Sequence, residues 1–193
     1  MLSTKKDEPI IVPLFIQDAE GGPPPSPDTP LYESRAGAPI IAPDGHHVTF
    51  GEFSTVTGRI RASCLPTGTQ TILHLNGLIP NATYTVWNAT FNAPGFDPTA
   101  PDLNVRGQGV IGPLDGGHSV FTSSSQGRGQ IVATTPGGAL SMFGSISACA
   151  LAGEIEWHAV GAYHIDGQSH GGDLGPDGSA VEQFAFIFRS DEL

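Results

Sequence analysis

The sequence predicts an all-β protein, a single-domain Greek-key or jelly-roll β-sandwich of about nine strands behind a proline-rich N-terminal arm. Three observations carry this expectation. From His47 onward apolar and polar residues alternate with period two, the pattern of half-buried strands. Turn formers abound, with 26 Gly and 17 Pro in 193 residues. The charged fraction of 14% lies below the roughly 25% usual for soluble domains, as suits a turn-rich chain with little helix. All-β folds reach this length without dividing, so one core is expected.

Residues 1–43 hold nine of the 17 prolines. Proline removes backbone donors and favours extended chain, so this segment reads as an arm and residues 44–193 as the sandwich domain. Within the arm Ile10, Ile11, Val12, Leu14, Phe15 and Ile16 are too apolar to stand in water. They are expected to lie on the body of this chain or of a neighbour, which makes a homo-oligomer one expectation.

Over residues 56–64 small and apolar side chains share one face, and Thr57, Arg59, Arg61 and Ser63 the other. Turns at Pro66-Thr67-Gly68 and Ile79-Pro80-Asn81 lead into strands over 71–78 and 83–91, and the three read as a meander. A Pro/Asp loop over 93–102 precedes short strands predicted at 105–111, 118–122, 129–134 and 139–143. Residues 154–165 alternate over a longer run, and 181–188 close the chain with Phe184, Phe186 and Phe188 on one side.

Charge excludes some partners. Lys and Arg number 8 against 19 Asp and Glu, a net charge of −11, so DNA and RNA are repelled. No apolar run reaches the roughly 18 residues of a membrane span. An apolar leader is not visible either, so an exported chain implies a leader removed or lying upstream. Cys64 and Cys149 allow one disulfide, which would place the protein in an extracellular or periplasmic setting; the alternative is two buried thiols. The terminal Asp191-Glu192-Leu193 echoes an ER-retention tail, a signal that means little without a leader.

The candidate chemistry sits around the 154–165 strand. The face opposite Trp157 holds Glu154, Glu156, His158, His164 and Asp166. His158 and His164 would lie about 20 Å apart on a straight strand, too far to share an ion bonded at about 2.1 Å. His164 and Asp166 stand two residues apart on one face, with roots about 6–7 Å apart. Asp166-Gly167 can start a turn that folds His170 back toward them. Two imidazoles and a carboxylate leave coordination positions open, as in catalytic zinc and non-haem iron sites. Cu, Zn or Fe is thus the expected ion, with His74 or His158 as further candidate ligands. A harder-oxygen candidate for calcium is the 173–178 loop, which lacks the ligand density of an EF-hand.

Other residues read as ordinary occupants: His46-His47 as loop, His118 as the start of a strand, and Trp157 as core. No P-loop occurs, nor a G-x-G-x-x-G between a strand and a helix.

Leu75-Asn76-Gly77-Leu78-Ile79-Pro80-Asn81 and His170-Gly171-Gly172-Asp173-Leu174-Gly175 are similar to stretches of the copper/zinc superoxide dismutase-like Greek-key sandwiches. The resemblance implies the architecture alone. Where that family places a His-x-His copper pair, this chain has Tyr84-Thr85-Val86-Trp87, so neither ligands nor activity carry over.

The residues therefore point to an extracytoplasmic metal-binding sandwich with a mononuclear His/Asp site open to Lewis-acid or oxygen chemistry. One alternative is a structural subunit of a fibre or shell, in which the 10–16 stretch adds a strand to the next protomer. Another is a carbohydrate-binding module in which Tyr84, Trp87 and Trp157 stack on a polysaccharide or small ligand.

Overall fold

The computed structural model describes residues 3–100, 103–152 and 156–189; the Asp191-Glu192-Leu193 tail and the start of the predicted strand at Glu154 lie outside them. The proline-rich segment contributes strands β1 (Ser3–Lys6), β2 (Ile10–Ile11), β3 (Ile16–Gln17) and β4 (Tyr32–Glu33). A one-turn helix α1 (Phe50–Phe53) follows, started by a capping box in which Thr49 and Glu52 bond each other's backbone N–H. The body comprises β5 (Thr57–Leu65), β6 (Gly68–Asn76), β7 (Thr83–Phe91), β8 (Val105–Val110), β9 (Val120–Thr122), β10 (Gly129–Pro136), β11 (Gly138–Ala139), β12 (Ser145–Ile146), β13 (Glu156–His164) and β14 (Ala180–Phe188).

The protein is an all-β sandwich of antiparallel sheets. One sheet has the order β1-β5-β6-β10 and the other β2-β14-β13-β7-β8, with β9 also pairing β7. Between them lies one apolar cluster. Ile60, Leu73, Leu75 and Ile131 enter it from the first sheet, and Tyr84, Val86, Trp157, Phe184, Phe186 and Phe188 from the second. The disulfide forms: Cys64 on β5 and Cys149 have Cα atoms 5.4 Å apart.

The expected meander is corrected. β5 and β6 do pair, but β6 goes on to pair β10, while β7 pairs β13 in the opposite sheet. Leu75 and Tyr84 are both buried in the same core, and carrying β7 across lets them fill it from opposite layers. The crossing is made where Asn81 takes a left-handed φ of 55°, with Leu78 N–H donating to Gly127 O at 3.0 Å. The strand expected at 139–143 is also corrected. Residues 140–144 form the loop of the small β11–β12 hairpin and lie along β8, where Gln108 N–H donates to Phe143 O at 3.0 Å.

The N-terminal residues lie on this chain's own body. β1 pairs β5, and Ile10 and Ile11 of β2 pair Ala185 and Phe184 of β14. That cover changes the character of β13. Every residue of β13 is buried, its ionisable face included. A second apolar cluster of Trp87, Val110, Val160, Ala162 and Ala185 occupies the outer face of the sheet, packed against Val12, Met142 and Leu174.

A bulge in the β13–β14 ladder completes this face. The register shifts between Gly161 and Ala162, which pair Phe184 and Glu182 and leave Gln183 unpaired in the ladder. A Cβ on Gly161 would run into the Phe184 ring. Gln183 turns inward, accepting from Tyr84 Oη at 2.7 Å and donating to Phe53 O at 2.9 Å. Glu182 and Ala185 are thereby left on the outer side.

Candidate metal centre

His164 ends β13, the second strand in from the β2 edge of its sheet, and is only 1% exposed. Its imidazole is held from one side: Nε2 stands 2.7 Å from Oγ1 of Thr85 on β7. The other nitrogen, Nδ1, is buried and has no hydrogen-bond partner. Buried polar atoms are nearly always satisfied, so an orphan imidazole nitrogen calls for a ligand. Donation of Nε2–H to Thr85 is the tautomer that leaves Nδ1 with its lone pair free.

The chain reverses directly after His164. Gly167 N–H donates to His164 O at 3.1 Å with Gly167 at φ 73°, and Asp166 Oδ1 accepts from Gln168 N–H at 2.9 Å. The loop is tied down by Thr83 Oγ1, which donates to Gly167 O at 3.1 Å, and by Ser141 Oγ, which donates to Gly172 O at 3.0 Å. His170 returns to the strand end, its Nε2 3.1 Å from Asp166 Oδ2 and its ring centroid 5.9 Å from that of His164. Gly175 makes room for it: at φ 82° it accepts no ordinary side chain, and a Cβ there would strike the His170 ring.

One ligand atom each from His164, Asp166 and His170 therefore lies within 4.8 Å of the other two. Donors bonded to one tetrahedral ion at about 2.1 Å stand roughly 3.4 Å apart, so closure shortens these separations by at most about 1.4 Å. Burial holds the His164 imidazole below the ordinary histidine range; Asp166 pulls it up and His170 pushes it down. A neutral imidazole is the form a metal takes.

The two further candidate ligands stand outside this group, a correction to the sequence reading. His74 lies on β6 in the opposite sheet, paired between Arg59 and Gln130. His158 is six residues up β13 and bonded elsewhere. Its Nε2 is 2.5 Å from Glu156 Oε1, and Glu156 Oε2 accepts from Arg189 Nε at 2.8 Å. Burial lowers the His158 pKa, opposed by Glu156 and reinforced by Arg189. The calcium candidate loop contributes Asp173 and Asp177 to a small cavity, with Asp173 Oδ1 taken by Leu174 N–H. His46 is paired with Asp44 and Glu52, and His47 Nε2 lies 2.7 Å from Leu31 O. Tyr84, Trp87 and Trp157 are 0, 2 and 2% exposed, so they offer no stacking platform at the surface.

Two strings invite a motif reading. Gly167-Gln168-Ser169-His170-Gly171 fits G-x-S-x-G, but it lies between two strands with no helix after it, without the strand–turn–helix frame of a nucleophile elbow. Gly107-Gln108-Gly109-Val110-Ile111-Gly112 runs along β8, where Cβ atoms at Gly107 and Gly109 would meet Leu140 and Ser141.

Sequence reasoning missed Glu182. It is half-buried on the outer face of β14 and makes no hydrogen bond or ion pair among the described residues. Burial pushes its carboxyl up to about 7, with Arg35 pulling the other way. The signal was legible: it is the one ionisable residue in Ala180–Phe188.

No protein-family model matches this sequence, and no curated protein matches it.

Proposed function

We propose that the protein is an extracytoplasmic metal-binding β-sandwich, holding one transition metal ion through His164 Nδ1, an Asp166 carboxylate oxygen and His170. The observation that carries this reading is the buried, partnerless Nδ1 of His164, on a residue with a ligand atom within 4.8 Å of one each from Asp166 and His170. Two nitrogens and one oxygen suit Zn, Cu or Fe better than calcium. Three protein ligands leave a position for water or substrate, the requirement for Lewis-acid or oxygen chemistry. The Cys64–Cys149 disulfide supports a compartment outside the reducing cytoplasm.

Metal analysis of untagged protein after incubation with Zn, Cu or Fe tests the reading. About one equivalent is expected, falling at least tenfold in affinity with His170→Ala or Asp166→Asn. Retention of less than about 0.1 equivalent of every ion would end it.

A further inference from the structure

The outer face of the six-stranded sheet carries a cleft of about 700 Å³, separate from the three metal ligands. Its floor is strand residues, among them Trp87, Ala89, Val160 and Ala185, and one wall is the 10–15 stretch of the N-terminal segment. The apolar arm that the sequence suggested for exchange between protomers is here the side of a hollow. The volume falls in the range of about 300–1,000 Å³ typical of small-molecule sites.

Its polar groups are few and placed at its two ends. His158 and Glu182 both line it; His158 pairs Ile187 on β14, and Glu182 pairs Ala162 four residues further along β13. Four residues of strand span about 13 Å, enough for an extended alkyl body. At the Glu182 end the cleft meets a smaller cavity of about 200 Å³, which shares Trp87 and Glu182 and adds Asp173, Asp177 and Arg35. The Arg35 Nε is already bonded to Glu33 at 2.8 Å. Among the described residues no Lys or Arg lines the larger cleft.

We propose that this cleft binds a cationic amphiphile, an extended apolar molecule whose amine head sits at the Glu182 carboxylate. Charge complementarity selects the head. Glu182, Asp173 and Asp177 all line the smaller cavity at that end, where the one arginine is already paired through Nε to Glu33. An anionic head would meet repulsion from Glu182, and the nearest cation, Arg35 over the Phe15 ring of the cleft wall, is already paired with Glu33. A neutral head would leave the carboxylate unpaired in apolar surroundings, which costs free energy. The bulge at Gly161 places Glu182 on this face, and burial of an acid with no partner is a cost to folding that an amine ligand removes. No part of this depends on a metal being held at His164.

The test is calorimetric titration of the full chain with decylamine, decanol and decanoate, each below its micelle concentration and at mildly alkaline pH, where Glu182 is ionised. Decylamine is expected to bind saturably at one per chain, with decanol at least about tenfold weaker and decanoate weaker still. Glu182→Gln, which keeps the shape and removes the charge, is expected to bring decylamine down to the level of decanol while leaving decanol within about twofold. Val160→Phe, which fills the floor, is expected to abolish all three. Asp166→Asn should leave decylamine binding intact, separating this site from the metal reading. Decanoate binding as tightly as decylamine would overturn the proposal, as would decylamine affinity indifferent to Glu182→Gln. So would an absence of saturable amine binding, including the case in which the chain runs as a dimer that buries the cleft.

Discussion

Thr85 and His164 meet across β7 and β13, hydroxyl to Nε2 at 2.7 Å, each about 1% exposed. The hydroxyl fixes which imidazole nitrogen is free and how the ring lies. Thr85→Val keeps the shape and removes the bond. Its expected effect is a metal affinity about 10–100-fold weaker, read by competition with a chromophoric chelator. A stability loss of about 1–3 kcal/mol is also expected from the unsatisfied N–H. Unchanged affinity in a destabilised variant would leave Thr85 a packing residue only.

Gly175→Ala probes the other side of the site. At φ 82° alanine is strained, and its Cβ meets the His170 ring. The loop must shift, so the variant is expected to lose metal affinity together with about 1–2 kcal/mol of stability. Gly167→Ala is the control: φ is 73° there, but no atom lies within 4 Å of the new Cβ, so stability falls by a similar amount from backbone strain without the collision with His170.

Acid and base pull on this fold in opposite directions. In metal-free protein His158 and His164 titrate below the ordinary 6.5, burial being the leading cause. As pH falls below 6.5 the unfolded chain takes up protons the folded chain refuses, so both groups make stability fall on acidification. Glu182 does the reverse. Its carboxyl, which shares the smaller cavity with Arg35, Asp173 and Asp177, is raised by burial from 4.5 to about 7. Between those values the folded chain keeps a proton the unfolded chain has lost, so this contribution declines as pH rises and is gone above about 7. Thermal melts should show Glu182→Gln gaining on the parent between pH 4.5 and 7 and holding a constant lead above. A lead that does not change across that window would mean an ordinary carboxyl.

The disulfide spans 85 residues and links β5 to the segment after β12. Cys64→Ser with Cys149→Ser is expected to cost about 4–5 kcal/mol on the chain-entropy account, measured by denaturant unfolding. A loss below about 1 kcal/mol would mean that the unfolded chain is already constrained.

Strands were legible where period two met good turn residues, as in β5, β7 and β14. Their partnering was not. Ile79-Pro80-Asn81 reads the same whether it closes a hairpin or carries the chain to the opposite sheet, because the choice depends on where Leu75 and Tyr84 find cover. The His164, Asp166 and His170 grouping was legible because it needs only a two-residue step and a local reversal. His74 and His158 were not placeable in the same way, since sheet membership decides them. The buried outer face of β13 was hidden for a similar reason: its cover comes from Val12 and Leu174, both beyond the reach of any local pattern.

Residues 3–11 stitch β1 to the margin of one sheet and β2 to the margin of the other. Trimming them would do more than shorten a tail. It would bare the flanks of β5 and β14 at once, two rows of backbone amides and carbonyls with nothing beside them, and such rows recruit strands from other molecules. The segment whose Ile10 and Ile11 wall the cleft is thus also the cover of both sheet margins.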